Sequence, residues 1–330
     1  MRYTQNNYIT YKYAIMEEKQ LEWEEGDCIW CGSVEYDYCF EGPDRLERLP
    51  GTFCLIRCRH CGVYRQNPRL SWNALMNYYP DNYVSYYYQN NEKNNRWQKY
   101  INNYGNIKRR KAVERFQSGG RLLDVGCGTG AFLQELIRSK KWDVIGIEPN
   151  KKAAEYAQLR TNATIYNDQF YDTNLDPDSF DAIALWTVLE HLEQPIRDLK
   201  YAHNLLKGNG WLILSIPNIN SLGAKIFKEY WSGWDLPRHL YLFPPSTLRE
   251  ILESIGFCVV YERCLSTSYQ ALGHSIDFWS QQWEKKFPKL KNILMRIYYS
   301  WVTRIGLLIP LAILDRLNLT STITVFARKC

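Results

Sequence analysis

The chain has 330 residues, 45% of them hydrophobic and 15% aromatic, which is enough for one large domain and a small one. Its formal net charge of +6 permits an acidic partner or surface, but no basic cluster or RNA-recognition signature argues for nucleic acid. The first twenty residues lack the apolar core of a signal peptide, and the longest uncharged apolar run, IGLLIPLAIL (Ile305 to Leu314), is short and broken by Pro310. A cytoplasmic protein is expected, with its ten cysteines serving as thiols or metal ligands rather than disulfides.

In chain order, the first chemistry is in CIWC (Cys28, Cys31) and CRHC (Cys58, Cys61), two CxxC knuckles each followed by a glycine, Gly32 and Gly62. Two such turns bring four thiolates around one tetrahedral Zn²⁺ and leave no ligand position open, so the ion would be structural. FCLIRC, which leads into the second knuckle, alternates like a strand. A redox pair would need a thioredoxin-like strand–helix pattern beside one knuckle, and none is present. Residues 1–70 are therefore expected to form a zinc-ribbon-like module, with Cys39, Cys54 and His60 as packing residues.

Residues 71–117 are dense in Tyr and Asn. The aromatic content argues against disorder. The segment reads either as a helical bridge or lid that walls a cleft, or as a linker packed on the main domain.

RLLDVGCGTGAFLQELI then reads as strand, glycine turn and helix. Gly126, Gly128 and Gly130, with Cys127 between the first two, let the backbone turn sharply and approach a ligand, and the helix from Ala131 aims its amides at it. The next strand, DVIGIEP, ends in Glu148, placed for ribose hydroxyls. The glycine pattern alone also fits a dinucleotide fingerprint. Asp124, inside the first strand, is the discriminating residue, because an acid there suits the ammonium of an amino-acid-bearing cofactor. Strands near 121–126, 143–148, 164–168, 180–187 and 211–217 alternate with helical segments, the pattern of a doubly wound sheet.

On LLDVGCGTG, VIGIEPN, DSFDAIALWTVLEHLEQP and LLKGNGWLILSIPN, taken in that order, the chain resembles the class I S-adenosylmethionine-dependent methyltransferases. The LEH element is shared with ubiquinone-type O-methyltransferases, and the cysteine-rich start is similar to bacterial enzymes of glycan or natural-product assembly. The resemblance implies an α/β, Rossmann-like, seven-stranded sheet with one antiparallel strand over 118–330. FCVVYERC and STITVFARK would be the last two strands, with a helical insertion at 265–320 between them. It implies S-adenosylmethionine as methyl donor, leaving S-adenosylhomocysteine. It places the adenine against NDQF, with Asp168 or Gln169 accepting from the amine and the Phe170 backbone donating. Trp186 either lines the cofactor or packs in the core. Glu190 and His191 would lie near the methyl end, or LEH would simply start a helix.

The loop after the fifth strand, WDLPRHLYLF, offers a second candidate base in His239. Asp235 would orient His239 or pair with Arg238, and Arg238 could bind an anionic group of the acceptor; the rival reading is a structural ion pair. His203 and His274 read as surface or packing residues. The expected reaction is methyl transfer, through a general base, to a small-molecule or glycan hydroxyl, with the acceptor atom still open between oxygen, nitrogen and carbon. An NAD-dependent oxidoreductase and a non-catalytic cofactor-binding protein are the alternatives. Within the insertion, 279–316 interleaves aromatic, apolar and basic residues. A helical cap buried on the domain or in a dimer is the favoured reading, and a peripheral membrane contact is the other.

Overall fold

The computed structural model describes residues 21–80, 96–265 and 269–330, with the backbone alone for 96–102. Residues 1–20, 81–95 within the Tyr/Asn-rich stretch, and 266–268 lie outside the described residues.

Five short strands come first: β1 (Trp23–Glu24), β2 (Tyr36–Pro43), β3 (Thr52–Cys58), β4 (Tyr64–Gln66) and β5 (Arg69–Leu70). The alternation in FCLIRC is that of β3, which buries Phe53, Leu55 and Ile56 and pairs antiparallel with β2 and β4. A helix, Arg96–Glu114, then leads into the main sheet.

The runs LLDV, VIGI, AIALW and LILSI are apolar on both faces, as strands covered by helices on either side must be. They form the centre of β6 (Gly120–Val125), β7 (Trp142–Ile147), β9 (Phe180–Trp186) and β10 (Leu206–Pro217), with β8 (Thr164–Tyr166) at the edge. After β11 (Tyr241–Leu242), β12 (Phe257–Arg263) and β13 (Thr322–Lys329) complete the seven-stranded sheet. Its order is β12-β13-β10-β9-β6-β7-β8, and β13 alone runs antiparallel to its neighbours. This is the expected sheet. β6 and β9 are adjacent, so the turns that follow them face each other at the carboxyl edge.

β11 belongs elsewhere. It comes from WDLPRHLYLF and adds to β4 as the fourth strand of the N-terminal sheet, Tyr241 opposite Arg65 and Leu242 opposite Tyr64. One apolar core runs from Phe53, Leu55 and Val63 through Leu240 and Phe243 to Leu185 and Leu214.

One expectation is corrected here. Cys258 and Cys330 are joined in a disulfide, with Cα atoms 5.8 Å apart. The pairing of β12 with β13 brings the two segments together, and the Cys330 N–H donates to Gly256 O, turning the chain back towards Cys258. The separation of 72 residues hides this contact from the sequence. The other eight cysteines are thiols.

Candidate active site

The turn after β6 has Gly126, Gly128 and Gly130 at φ +67°, +55° and +74°, where an L side chain is strained. At Gly126 an added Cβ would also lie 2.6 Å from Val188 Cγ2. The glycine therefore lets the turn after β9 press directly on the turn after β6. Gly130 caps the helix Ala131–Ser139. Glu148 is buried at the end of β7, where its carboxylate accepts from the N–H of Gly128 (2.8 Å) and of Asn150 (2.9 Å). Asn167 donates to Glu148 O and Pro149 O, both at 2.9 Å, and so ties the segment after β8 to the end of β7. On that segment Asp168 is exposed and accepts from the Gln169 N–H (3.0 Å), Gln169 is half-buried, and Phe170 is buried. The Cys127 thiol turns inward against Gly146 of β7 and also lies 3.9 Å from Gly128 O of the turn.

Asp124 is buried in β6, and burial raises its carboxyl to about 8, with Arg109 opposing and Glu148 reinforcing the shift. Arg109 comes from the helix Arg96–Glu114 and lies 4.9 Å from the centre of the Trp186 ring. Burial lowers the Arg109 guanidinium, while the nearby Asp124 charge holds it up. Trp186 ends β9 with its indole N–H buried and without a hydrogen-bond partner among the described residues. Sequence reasoning passed over Arg109 because KRRK at 108–111 looks like a solvated basic face.

Beyond Trp186 the chain turns at Thr187, a β-branched residue at φ +56°. This delivers Glu190 and His191 on the short turn Leu189–His191. His239 arrives from the WDLPRH segment, and its ring centre is 4.6 Å from that of His191. The two candidate histidines therefore form a single cluster. Glu190, His191 and His239 each offer one ligand atom, all within 4.8 Å of one another. His191 Nδ1 is 3.1 Å from Arg238 O and 2.9 Å from the Tyr79 hydroxyl, and His239 Nδ1 is 2.8 Å from Gly233 O. A carbonyl oxygen only accepts, so both Nδ1 atoms carry the proton and both Nε2 atoms present a lone pair. Glu190 is 1% exposed, and neither carboxylate oxygen has a hydrogen-bond partner among the described residues. Burial raises its carboxyl to about 8. Burial, with His239 adding to it, lowers His191 to about 3; burial also lowers His239, where Asp235 opposes it.

Two expectations change. Arg238 is fully buried, and its guanidinium donates to Asp44 (2.6 and 3.0 Å), Asp235 (2.7 Å from Nη2, 3.2 Å from Nε) and Tyr78 O (3.2 Å). No face of it is left for an acceptor's anionic group. Asp235 likewise directs its carboxylate to Arg238, whose charge pulls its pKa below the ordinary value against the effect of burial. The pair is a clamp between the N-terminal segment and the loop after β10. Tyr79, by contrast, reaches the cluster from the start of the Tyr/Asn-rich stretch, where nothing in the sequence sets it apart from its neighbours.

A family described as a methyltransferase domain matches residues 95–262, about half the chain. The chain belongs to the class I S-adenosylmethionine-dependent methyltransferases. It is 33% identical over 159 residues to the ubiquinone biosynthesis O-methyltransferase of Paracidovorax citrulli, a match covering 44% of this chain and 66% of that one. It is 32% identical over 122 residues to the protein of the same name from Paraburkholderia phymatum, covering 34% and 52%. This chain thus spans about half to two thirds of the length of these curated relatives. The magnesium protoporphyrin IX methyltransferase of Synechocystis PCC 6803, solved with bound SAH, shares the fold: TM-score 0.50, 15% identity, 79% of this chain and all of that one.

The residues of this methyltransferase fold fit the family's methyl donor. The glycine turn, the unpartnered Trp186 N–H, and Asp124, Arg109 and Glu148 offer matched charges and donors for its amino-acid and ribose ends. A second candidate centre lies in the N-terminal sheet. Cys28 Sγ is 3.4 Å from Cys61 Sγ, Cys31 Sγ is 3.5 Å from Cys58 Sγ, and all four sulfurs fall within 4.8 Å. Four thiolates at about 2.3 Å from a central ion give such an arrangement. Gly32 and Gly62, at φ +67° and +76°, close each knuckle by donating to the carbonyls of Cys28 and Cys58. Burial resists a thiolate at Cys58, but the N–H groups of Cys61 and His60 together with the Cys31 and Cys61 thiols outweigh it and bring the thiol down to about 6, whereas burial raises Cys28 and Cys61.

Proposed function

We propose that this chain transfers a methyl group from S-adenosylmethionine to a hydroxyl of a small-molecule or glycan acceptor, with a structural zinc ion held by Cys28, Cys31, Cys58 and Cys61. The observation that carries this reading is the Glu190–His191–His239 cluster, with Glu190 and His191 on the turn after β9 that packs against Gly126. Bound in the glycine turn, the donor's sulfonium supplies an electrophilic methyl group. Asp124 and Arg109 are placed to hold its amino and carboxylate ends, and Glu148 its ribose.

A hydroxyl gains nucleophilicity as it loses its proton, and a base adds about 10²–10⁴-fold. His239 is the better acceptor of that proton. Its Nδ1–H is fixed on Gly233 O, and Asp235 Oδ2 lies 3.9 Å from its Nε2. His191 shares its Nδ1 between Arg238 O and the Tyr79 hydroxyl, and burial with the His239 charge lowers it to about 3. The names of the relatives in ubiquinone biosynthesis also favour a hydroxyl acceptor.

The test is His239→Asn, assayed by S-adenosylhomocysteine formation across a panel of phenols, sugars and amines. Turnover on a hydroxyl acceptor should fall by about 10²-fold or more, with S-adenosylhomocysteine affinity unchanged. Wild-type turnover confined to amines, or an unaffected variant, overturns the reading.

A further inference from the structure

The insertion between β12 and β13 is anchored at one end and bare at the other. Its first helix, Tyr269–Ser280, is tied to the loop that bears His239: the Ser232 N–H donates to Ser275 Oγ (3.0 Å). Gln281 donates to Arg45 O (3.1 Å), and Lys291 is neutralised by Asp277 and Glu284. Beyond this root come Pro288–Tyr298, Trp301–Gly306 and Leu308–Arg316, and here the expectation of a cap buried on the domain is not met within the single chain. Trp301 is 74% exposed and Ile309 73%, and Ile297, Val302, Ile305 and Leu308 are also exposed. Among the described residues nothing covers this face, which is far larger than isolated surface apolar residues produce.

The charges identify what would cover it. From Lys285 to Leu314 the sequence has six basic residues and no acidic one. Lys285, Lys286, Lys289, Arg296 and Arg304 are exposed alongside the apolar side chains. A second copy of the same face would set these cations against each other. An anionic lipid surface accepts both the apolar stripe and the cations. Among the described residues no single helix is long and apolar enough to cross a membrane; the helical segments Pro288–Tyr298 and Trp301–Arg316 reach that length and apolarity only together, across a 53° bend. That shape suits lying in the headgroup layer.

We propose that this helical hairpin docks the protein onto anionic lipid bilayers, inserting Trp301, Ile305 and Ile309 below a collar of lysines and arginines. The inference stands apart from the methyl-transfer reading and needs no turnover to test. The full chain is co-sedimented with phosphatidylcholine vesicles with and without phosphatidylglycerol, at low and high salt. Binding should require the anionic lipid and weaken with salt. Lys285→Gln/Lys286→Gln/Lys289→Gln should lower partitioning by about fivefold per residue, on the order of 10² in all. Trp301→Asp/Ile309→Asp, at exposed positions, should lower it more than about tenfold without changing S-adenosylhomocysteine affinity or the melting temperature. Equal partitioning onto both vesicle types, or binding indifferent to both variants, overturns the proposal. So does a solution dimer that the Trp301→Asp/Ile309→Asp variant splits, because a second copy would then cover the face.

Discussion

Arg238→Met separates the clamp from the acceptor contact that WDLPRHLYLF suggests. The wild-type guanidinium donates to Asp44, Asp235 and Tyr78 O with no exposure to water. Methionine fills much of the volume but leaves two buried carboxylates facing each other. Removing one partner of such a buried network costs about 3–5 kcal/mol. At about 2.1 cal/mol/K per residue the unfolding entropy of this chain is about 0.7 kcal/mol/K, so a loss of about 4 kcal/mol lowers the melting temperature by about 6 °C. Scanning calorimetry measures that shift. Replacing both acids as well, in Asp44→Asn/Asp235→Asn/Arg238→Met, should restore part of it. The acid limb gives a second check. The Arg238 charge sets the folded pKa of Asp235 below its unfolded value. Its contribution is therefore complete above the unfolded pKa and is lost as pH falls through the folded one. In Arg238→Met that acid-sensitive part of the stability should disappear. An unchanged melting temperature together with a raised KM for the acceptor would refute the clamp and return Arg238 to the substrate.

Gly126→Ala forces a Cβ into Val188 at a positive φ and should weaken S-adenosylhomocysteine binding by more than about tenfold in calorimetric titration; unchanged affinity would mean that this turn does not hold the cofactor. Glu190→Gln removes an acid whose folded pKa, about 8, lies above its unfolded value. Between roughly pH 4.5 and 8 the unfolded chain releases this proton and the folded one keeps it, so wild-type stability falls with rising pH in that window. The glutamine variant should lose that slope and gain stability at pH 8 in denaturant titrations, on the order of a few kcal/mol; an identical slope refutes a buried, unpaired carboxyl. Metal analysis should find one zinc per chain, and Cys58→Ser or chelation should lower hydrogen-exchange protection at Tyr241 and Leu242; unaltered protection would show that the cysteine cluster does not support β11.

The methyltransferase sheet was legible because its signals are local. Apolar runs between glycine turns mark buried parallel strands, and Asp124, Gly126 and Glu148 announce the cofactor end within thirty residues. The cluster was half legible. His191 and His239 each looked like the base, but their convergence depends on a crossover from the loop after β10 to the turn after β9, which no local pattern encodes. Arg238 was misleading for the same reason: its partner Asp44 is 194 residues away, so a saturated guanidinium looked like a free one. Arg109 hid in a basic run, and the disulfide between Cys258 and Cys330 depends on strand pairing. The insertion was legible as helical, but composition alone does not say whether the domain, a second copy or a membrane covers its apolar side chains.

The N-terminal sheet and the Glu190–His191–His239 cluster share one stretch of backbone. Gln66 donates to Pro237 O (2.8 Å) and His239 O (2.7 Å), Arg238 reaches Asp44, and the Leu240 N–H donates to Glu190 O (2.8 Å). Four consecutive residues thus tie the module to the turn after β9, Pro237, Arg238 and His239 on the module side and Leu240 on the turn, and β11 follows immediately to pair with β4. His239 is therefore held by residues on both sides of the chain at the level of the backbone, and its Nδ1 is fixed by Gly233 O. A base must be positioned within a few tenths of an ångström to act, and a loop on its own does not provide that. A metal ion at the proposed cysteine site would stiffen this support: the knuckles flank β3 and β4, β4 pairs with β11, and β11 directly follows His239 and Leu240.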